Sequence, residues 1–363
     1  MINRGILLIG PLPEPTSGVS VANAKVLEIL QNNSSSPVRF IDMSYPDFND
    51  EIGSFSFKKL LFFISTYLEL WKVFRVSMIY ITPGQSFFGI VKYAPFILVA
   101  RFVRKKIIIH IHGNHLHTEY QTLKGIKKKI FHFLITRADK GIVLSESLKV
   151  NLLPFLKQNQ IQVVPNFADN NLVSEATYKN NDSLKILFLS NLMEEKGIFY
   201  FLESLKILQE KKIAFTAKIA GNIDVKIKKL VEDKMNEINC LDYLGVVRGE
   251  AKSKLLDWAN IFVLPTFYKM EGQPISILEA MAARNVIITT KHAGIPDIFK
   301  DQIHGFYVEK RNSESIVEKI VTLDGDRSLI SEFQENNLKY FKDNFSEQAF
   351  KKRIVECFEN HKE

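Results

Sequence analysis

The sequence predicts an α/β protein built from two doubly wound domains in tandem. Short β-branched runs alternate with helix-compatible runs along nearly the whole chain, and such alternation makes βαβ units with parallel sheets. Strand candidates such as Ile186-Leu187-Phe188-Leu189 and Ile261-Phe262-Val263-Leu264 are apolar throughout, as strands covered on both faces must be. At 363 residues the chain also exceeds what a single core usually fills.

In the first half the strand candidates are 5–9, 38–41, 78–81, 106–112, 141–144 and 162–164. In the second they are 185–189, 214–220, 242–244, 261–264, 286–289 and 305–308. The polar stretch 169–183, rich in Asn, Ser and Asp, separates the two series and reads as a linker. The expected division is residues 1–168 and 169–344, with ligands at the carboxyl ends of the strands.

Composition narrows the function classes. Hydrophobic residues make up 46% and charged residues 24%, which excludes a disordered chain. The 28 Phe favour large cores or an apolar contact surface. Two distant cysteines, Cys240 and Cys357, make neither a disulfide scaffold nor a metal cluster, so a reducing cytoplasm is the simplest setting. The apolar run near the start is too short for a signal peptide and breaks at prolines. No uncharged apolar stretch reaches the roughly 18 residues that cross a bilayer.

The net charge of +8 is unevenly shared. Residues 1–168 hold 20 Lys+Arg against 10 Asp+Glu, and the remainder holds 28 against 30. A basic half beside a near-neutral half points to a polyanionic partner for the first domain. Residues 58–75 form an apolar, helix-compatible run with basic ends, and 101–106 and 124–129 add basic clusters. These fit peripheral binding to anionic lipid on the inner face of a membrane. Equally, Phe62, Phe63, Leu68 and Trp71 fit a core flanked by solvated lysines. No nucleic-acid recognition motif accompanies the charge, so nucleic acid is not an expected partner.

The segment from Glu271 to Glu279 carries the sharpest chemical signal. It follows a predicted strand and a loop, and from Ile277 onward it is a strong helix former. Glu271 then sits before the helix and Glu279 about two turns along it. Backbone N–H groups near Ser276 and Ile277 offer an anion site at the helix start. Phosphates there with a carboxylate on each side suit a nucleotide-sugar, one carboxylate for sugar hydroxyls and one for ribose. The spacing alone fits a capped helix with a solvated Glu279 as well. A second rich stretch runs from Lys106 to His115. His110 and His112 share one face of its strand and Gly113 ends it. No carboxylate or cysteine stands at ligand spacing, so no metal is assigned.

The Glu271–Glu279 segment resembles the Glu-x7-Glu signature of the family-four retaining glycosyltransferases, glycosyl transferases group 1. The likeness extends in order over nearly the whole chain. Gly10 to Ser20, with Gly18, resembles the family's first strand and glycine-bearing loop. Val164-Pro165-Asn166-Phe167-Ala168-Asp169 resembles its inter-domain turn, with Phe167 where glycine is usual. Asn191-Leu192-Met193-Glu194-Glu195-Lys196-Gly197 resembles its Arg-Leu-x-x-x-Lys-Gly motif, with Asn191 in the arginine position. Tyr243 to Val247 resembles the strand and loop whose backbone meets the nucleobase, and Ala293 to Asp297 and His304 to Phe306 resemble two architectural landmarks. Ala283-Arg284-Asn285 stands where Cys-Gly-x-Pro is common.

The resemblance implies a GT-B fold, two Rossmann-like domains facing a central cleft, with residues 345–363 packing back on the acceptor-side first domain. It implies a metal-independent, retaining glycosyltransferase with no cofactor besides its nucleotide-sugar donor, a UDP-sugar being favoured. The implied acceptor is a glycan on a lipid carrier, in surface polysaccharide synthesis. Residue by residue, it puts Glu271 on the donor sugar, His112 near the sugar or acceptor and Lys196 on the diphosphate. Gly18, Asn191, Val246, Ser276, Ile277 and Glu279 are the remaining donor-binding positions, Glu279 on the ribose. An epimerase, a phosphorylase or a non-catalytic nucleotide-sugar-binding protein would use the same fold.

Overall fold

The computed structural model describes residues 5–14, 17–45, 57–173, 179 and 181–359, and for 57–60 the backbone alone. Pro15 and Thr16 of the glycine-bearing loop, the side chains of Lys58 and Lys59, most of the linker stretch 174–180 and the last four residues therefore lie outside the described residues. The chain forms two compact units, Met1–Asn166 with Phe350–Glu363, and Phe167–Ala349.

The first unit holds a six-stranded parallel sheet: β1 (Ile6–Gly10), β2 (Val38–Asp42), β3 (Met78–Ile81), β4 (Lys106–Ile111), β5 (Lys140–Val143) and β6 (Ile161–Val163), in the order β2-β1-β3-β4-β5-β6. The second unit holds another, β7 (Leu184–Leu189), β8 (Phe215–Ala220), β9 (Leu241–Tyr243), β10 (Ile261–Leu264), β11 (Val286–Thr290) and β12 (Gly305–Val308), in the order β12-β11-β10-β7-β8-β9. All pairings are parallel, and helices link most successive strands. The central strands are apolar because both faces are covered: Ile6 to Ile9 and Ile261 to Leu264 have no accessible surface.

In the first sheet the direction of winding reverses between β1 and β3, and in the second between β7 and β10. At such a switch point the connections leave to opposite sides, so the loops at the strand carboxyl ends diverge and leave room for a ligand. In the second unit those loops are Ser190–Gly197 after β7 and Pro265–Pro274 after β10, which hold Lys196 and Glu271.

Chain termini and connections show how the units are tied. The last helix, Glu347–Glu359, starts two residues later than the sequence suggested, because the Phe345 N–H closes the preceding helix on the Phe341 carbonyl. Within the first unit Phe350, Ile354, Cys357 and Phe358 are buried, the Phe358 ring lies 5.7 Å from Tyr80, and Lys140 donates to the Cys357 carbonyl at 2.9 Å. Within the second unit Lys179, from the linker, donates to the carbonyls of Leu256 and Ala259 at 2.9 and 2.6 Å. Burial lowers its pKa to about 7.

The phenylalanines divide between both predicted roles. Phe96, Phe131, Phe188, Phe201 and Phe262 fill the cores, whereas Phe74, Phe88, Phe102 and Phe133 are exposed on the first unit. No helix among the described residues is long and apolar enough to cross a membrane.

Candidate functional site

Lys196 and Glu271 stand 75 residues apart in sequence and meet at the switch point of the second sheet, Nζ to Oε2 at 2.6 Å. Both side chains are largely sheltered, with 14% and 8% of their surface accessible. The meeting depends on Gly197. It has φ +88°, which an L side chain rarely adopts, and a Cβ there would lie 2.6 Å from the Pro265 carbonyl oxygen. Only glycine lets the turn Glu194–Lys196 press against the loop after β10. Two further bonds hold that approach: the Phe267 N–H donates to the Glu195 carbonyl at 2.7 Å, and the Thr266 hydroxyl, 3.1 Å from Glu271, also reaches the Glu195 carbonyl at 3.3 Å.

Three residues around the pair carry no sequence signal. The Tyr268 ring lies under the Lys196 ammonium at 5.0 Å, and its phenol pKa is raised by burial and by the neighbouring carboxylates. His292 pairs through Nε2 with the Tyr268 carbonyl at 2.8 Å and through Nδ1 with Lys310 Nζ at 3.0 Å. That arrangement fits an imidazole donating from Nε2 and accepting at Nδ1, and burial lowers its pKa. Thr290 donates to the Thr266 carbonyl, and Gly294 N–H to the Gly272 carbonyl at 2.9 Å. The loop is thus held on both sides before any ligand arrives.

The helix after this loop is Ile275–Ala282, with Pro274 at its N-cap. It begins two residues before the predicted Ile277, so Ser276 and Ile277 both lie in its first turn. The Ile277 N–H donates to the Pro274 carbonyl at 3.2 Å. Ser276 stands in the first turn and is half-buried. Glu279, only 9% accessible, follows eight residues after Glu271, and its carboxylate meets Lys252 Nζ at 2.5 Å. Lys252 belongs to the helix Gly249–Trp258 and was not expected at the site.

Two other expected donor positions flank this region in the same unit. Asn191 is exposed at the carboxyl end of β7. Val246 is 57% exposed in the loop after β9, where Gly245 adopts φ +65° and accepts from the Gly221 N–H at 2.8 Å. The structure therefore brings Lys196 together with Glu271 and pairs Glu279 with a cation that sequence reading missed.

Gly18 and His112 lie in the first unit. Gly18 opens the helix Gly18–Asn33 behind a Ser17 cap that accepts from the Ser20 N–H. β4 ends at Ile111, one residue short of the expected strand, so His112 lies just past it; its ring still stacks on His110 with centroids 3.9 Å apart. His110 is buried and pairs through Nδ1 with the Tyr80 hydroxyl at 2.6 Å. Both ring nitrogens of His112 are buried without a partner among the described residues. Desolvation lowers its pKa to about 3, so the imidazole is neutral and offers one donor and one acceptor. Among the described residues no group of three or more His, Cys, Asp or Glu side chains is placed to hold a metal ion.

Two parallel six-stranded sheets of this order define the GT-B class. HepE from Anabaena, solved with UDP-glucose, has a TM-score of 0.75 over 98% of this chain and 99% of that one at 14% identity. The lipopolysaccharide outer core galactosyltransferase WaaB has 0.68 over 97% and 98% at 15%. Within that class, residues 169–340, in the second unit, match the family model for glycosyl transferases group 1. Among curated relatives, the amylovoran biosynthesis glycosyltransferase AmsK of Erwinia amylovora is 27% identical over 39% of this chain and 36% of its own length. The capsular polysaccharide biosynthesis glycosyltransferase CapM of Staphylococcus aureus is 29% identical over 63% of this chain and 64% of its own. The matched stretches thus span less than two thirds of either relative.

Proposed function

We propose that the protein is a retaining glycosyltransferase. It takes a sugar from a nucleoside-diphosphate donor, a UDP-sugar by preference, and passes it to a lipid-carried glycan in surface polysaccharide synthesis. The observation that carries this reading is the Lys196–Glu271 pair at the switch point, with Glu279 two turns further along the next helix. Relatives named for capsular and amylovoran biosynthesis support the glycan acceptor, and a fold neighbour solved with UDP-glucose supports the donor class.

In this reading Glu271 accepts from the donor sugar's hydroxyls and Glu279 from the ribose. Lys196 turns from Glu271 to the diphosphate, where negative charge develops as the bond from C1 to the phosphate oxygen breaks. The acceptor hydroxyl attacks C1 from the same face, and its proton passes to the departing phosphate oxygen. His112, neutral and with unused hydrogen-bonding capacity, contacts the sugar or the acceptor. The charge is carried by side chains, so the reaction proceeds without a metal.

Anionic lipid is the partner this reading gives the first unit. Its helical segments expose Leu68, Trp71, Phe74, Phe102, Ile126 and Phe133 beside Arg75, Arg104, Lys105 and Lys127 to Lys129. Apolar side chains interleaved with basic ones suit a headgroup layer on the cytoplasmic face. The protein is expected to sediment with vesicles containing phosphatidylglycerol and not with phosphatidylcholine alone. Phe102→Ser with Ile126→Ser is expected to lower the bound fraction several-fold, and undiminished binding would remove these residues from the contact.

The uncharged Asn191 favours a second reading, a protein that binds the donor without turning it over. A panel of UDP-, GDP- and ADP-sugars, followed by thermal shift and by slow hydrolysis in EDTA, separates the two. One nucleotide series that stabilises the protein and is hydrolysed, with loss of hydrolysis in Glu271→Ala, supports the transferase. Stabilisation without turnover supports the binding protein, and no stabilisation by any donor overturns both.

A further inference from the structure

We infer that Lys252 is a nucleotide-positioning residue, one that holds the Glu279 carboxylate toward the ribose and so makes binding depend on the ribose hydroxyls. The inference rests on the proposed donor site and adds to it a residue outside the motifs described above.

The carboxylate is the starting point. Glu279 sits in a helix whose neighbours Ile277, Leu278, Ala280 and Met281 have no accessible surface, and only 12% of its own side chain is accessible. An ionised group so sheltered needs a counter-charge, and the Lys252 ammonium provides it at 2.5 Å. The pair is not sealed, because 28% of the Lys252 side chain is accessible. Lys252 engages Oε1, so Oε2 and the remaining lone pairs can accept from two neighbouring hydroxyls.

The position of Lys252 in the chain gives the pair its direction. The helix Gly249–Trp258 follows directly from the loop that contains Val246, and Lys252 lies in its opening turn, with its N–H on the Arg248 carbonyl. The loop proposed to meet the base therefore runs straight into the residue that grips the carboxylate proposed to meet the ribose. A lysine in the first turn of a helix also works against the helix dipole. Its placement there is accounted for by the carboxylate on the neighbouring helix. Both helices pack on the turn Asn170–Leu172, which fixes their separation.

This arrangement matters more in this chain than the motif suggests. With Asn191 where the family has arginine, the phosphate side has lost a cation. A preorganised ribose contact then carries a larger share of donor recognition.

The test is equilibrium binding of UDP, GDP and ADP, each against its 2′,3′-dideoxy counterpart, to the full chain. For whichever nucleotide binds, the wild type is expected to prefer the ribose form by about tenfold or more, the scale of one hydrogen bond to a charged carboxylate. Lys252→Met is expected to reduce that preference below about twofold, chiefly by weakening the ribose form, whereas Lys252→Arg retains it. Thermal unfolding of each variant is measured alongside. Should Lys252→Met fail to fold, Lys252→Gln, which keeps a donor but loses the charge, takes its place with the same expected loss. A preference unchanged in the methionine or glutamine variant overturns the inference, as does an equal weakening of both forms. If the wild type binds none of the six nucleotides, the donor-site reading itself has failed.

Discussion

Lys196→Met is expected to lower kcat/KM for donor turnover by about 10²–10³-fold, with most of the loss in kcat, because it removes a preorganised charge aimed at the leaving group. In the unliganded protein the ammonium is neutralised by Glu271 at 2.6 Å and rests over Tyr268. In the proposed reaction a donor that engages Glu271 through its sugar hydroxyls frees Lys196 for the diphosphate, so that the same lysine restrains the site at rest and stabilises the departing charge. Methionine keeps the apolar stem against Tyr268 and isolates the effect of charge. Glu271→Gln tests the other half, since the amide keeps the shape and loses the acceptor strength. The two substitutions share one pair, so their effects are expected to fall well short of additive when combined. Initial rates for the two single variants and the double variant, measured at saturating and limiting donor, check both points. Retention of more than about a third of wild-type kcat in Lys196→Met would remove the lysine from the chemical step.

How much of this was legible in the sequence depended on the range of the interaction. The inner strands were visible because a parallel strand covered on both faces must be apolar along its length, the edge strands β2 and β9 by their place in the alternation with helices, and boundaries shifted by no more than two residues. The positions of Glu271 and Glu279 were visible through local spacing, and that of Lys196 through the family resemblance alone. The 2.6 Å contact between Lys196 and Glu271 was not visible, because it depends on the order β10-β7 in the sheet and on a glycine meeting Pro265. The helix start was placed two residues late, because the cap at Pro274 is a detail of the first turn that composition does not carry. Lys252 looked like one more surface lysine in a basic chain. Its position in a first turn was the signal available, and its partner lies 27 residues away on another helix. Tyr268 and His292 were missed for a similar reason: their contacts run through the Tyr268 ring and backbone, which have no sequence signature.

Acid is expected to destabilise the first unit well before its carboxylates protonate, and His112 is the main source. Burial lowers its pKa to about 3, and His110, stacked on it and bonded to Tyr80, is held below its ordinary value by burial and by its neighbour. In the unfolded chain both imidazoles titrate near the usual value of about 6.5. Between those limits the unfolded chain binds protons that the folded unit refuses, so stability rises with pH across the window and is lost as pH falls from about 6.5 toward 3. For one such histidine the slope is at most about 1.4 kcal/mol per pH unit. The measurement uses the fact that the chain has two tryptophans, Trp71 in the first unit and Trp258 in the second. With Trp258→Phe, fluorescence reports the first unit, and urea unfolding at pH 7.5, 6.5 and 5.5 gives its stability. His112→Leu is expected to unfold with a shallower pH dependence, by about 1 kcal/mol per pH unit below 6.5. Its stability at pH 7.5 should change little or rise, because two buried ring nitrogens without partners are removed. Equal slopes in the two proteins would show that His112 is solvated in solution and that its pKa is not depressed. The neutral ring assigned to the acceptor side would then have to be abandoned with it.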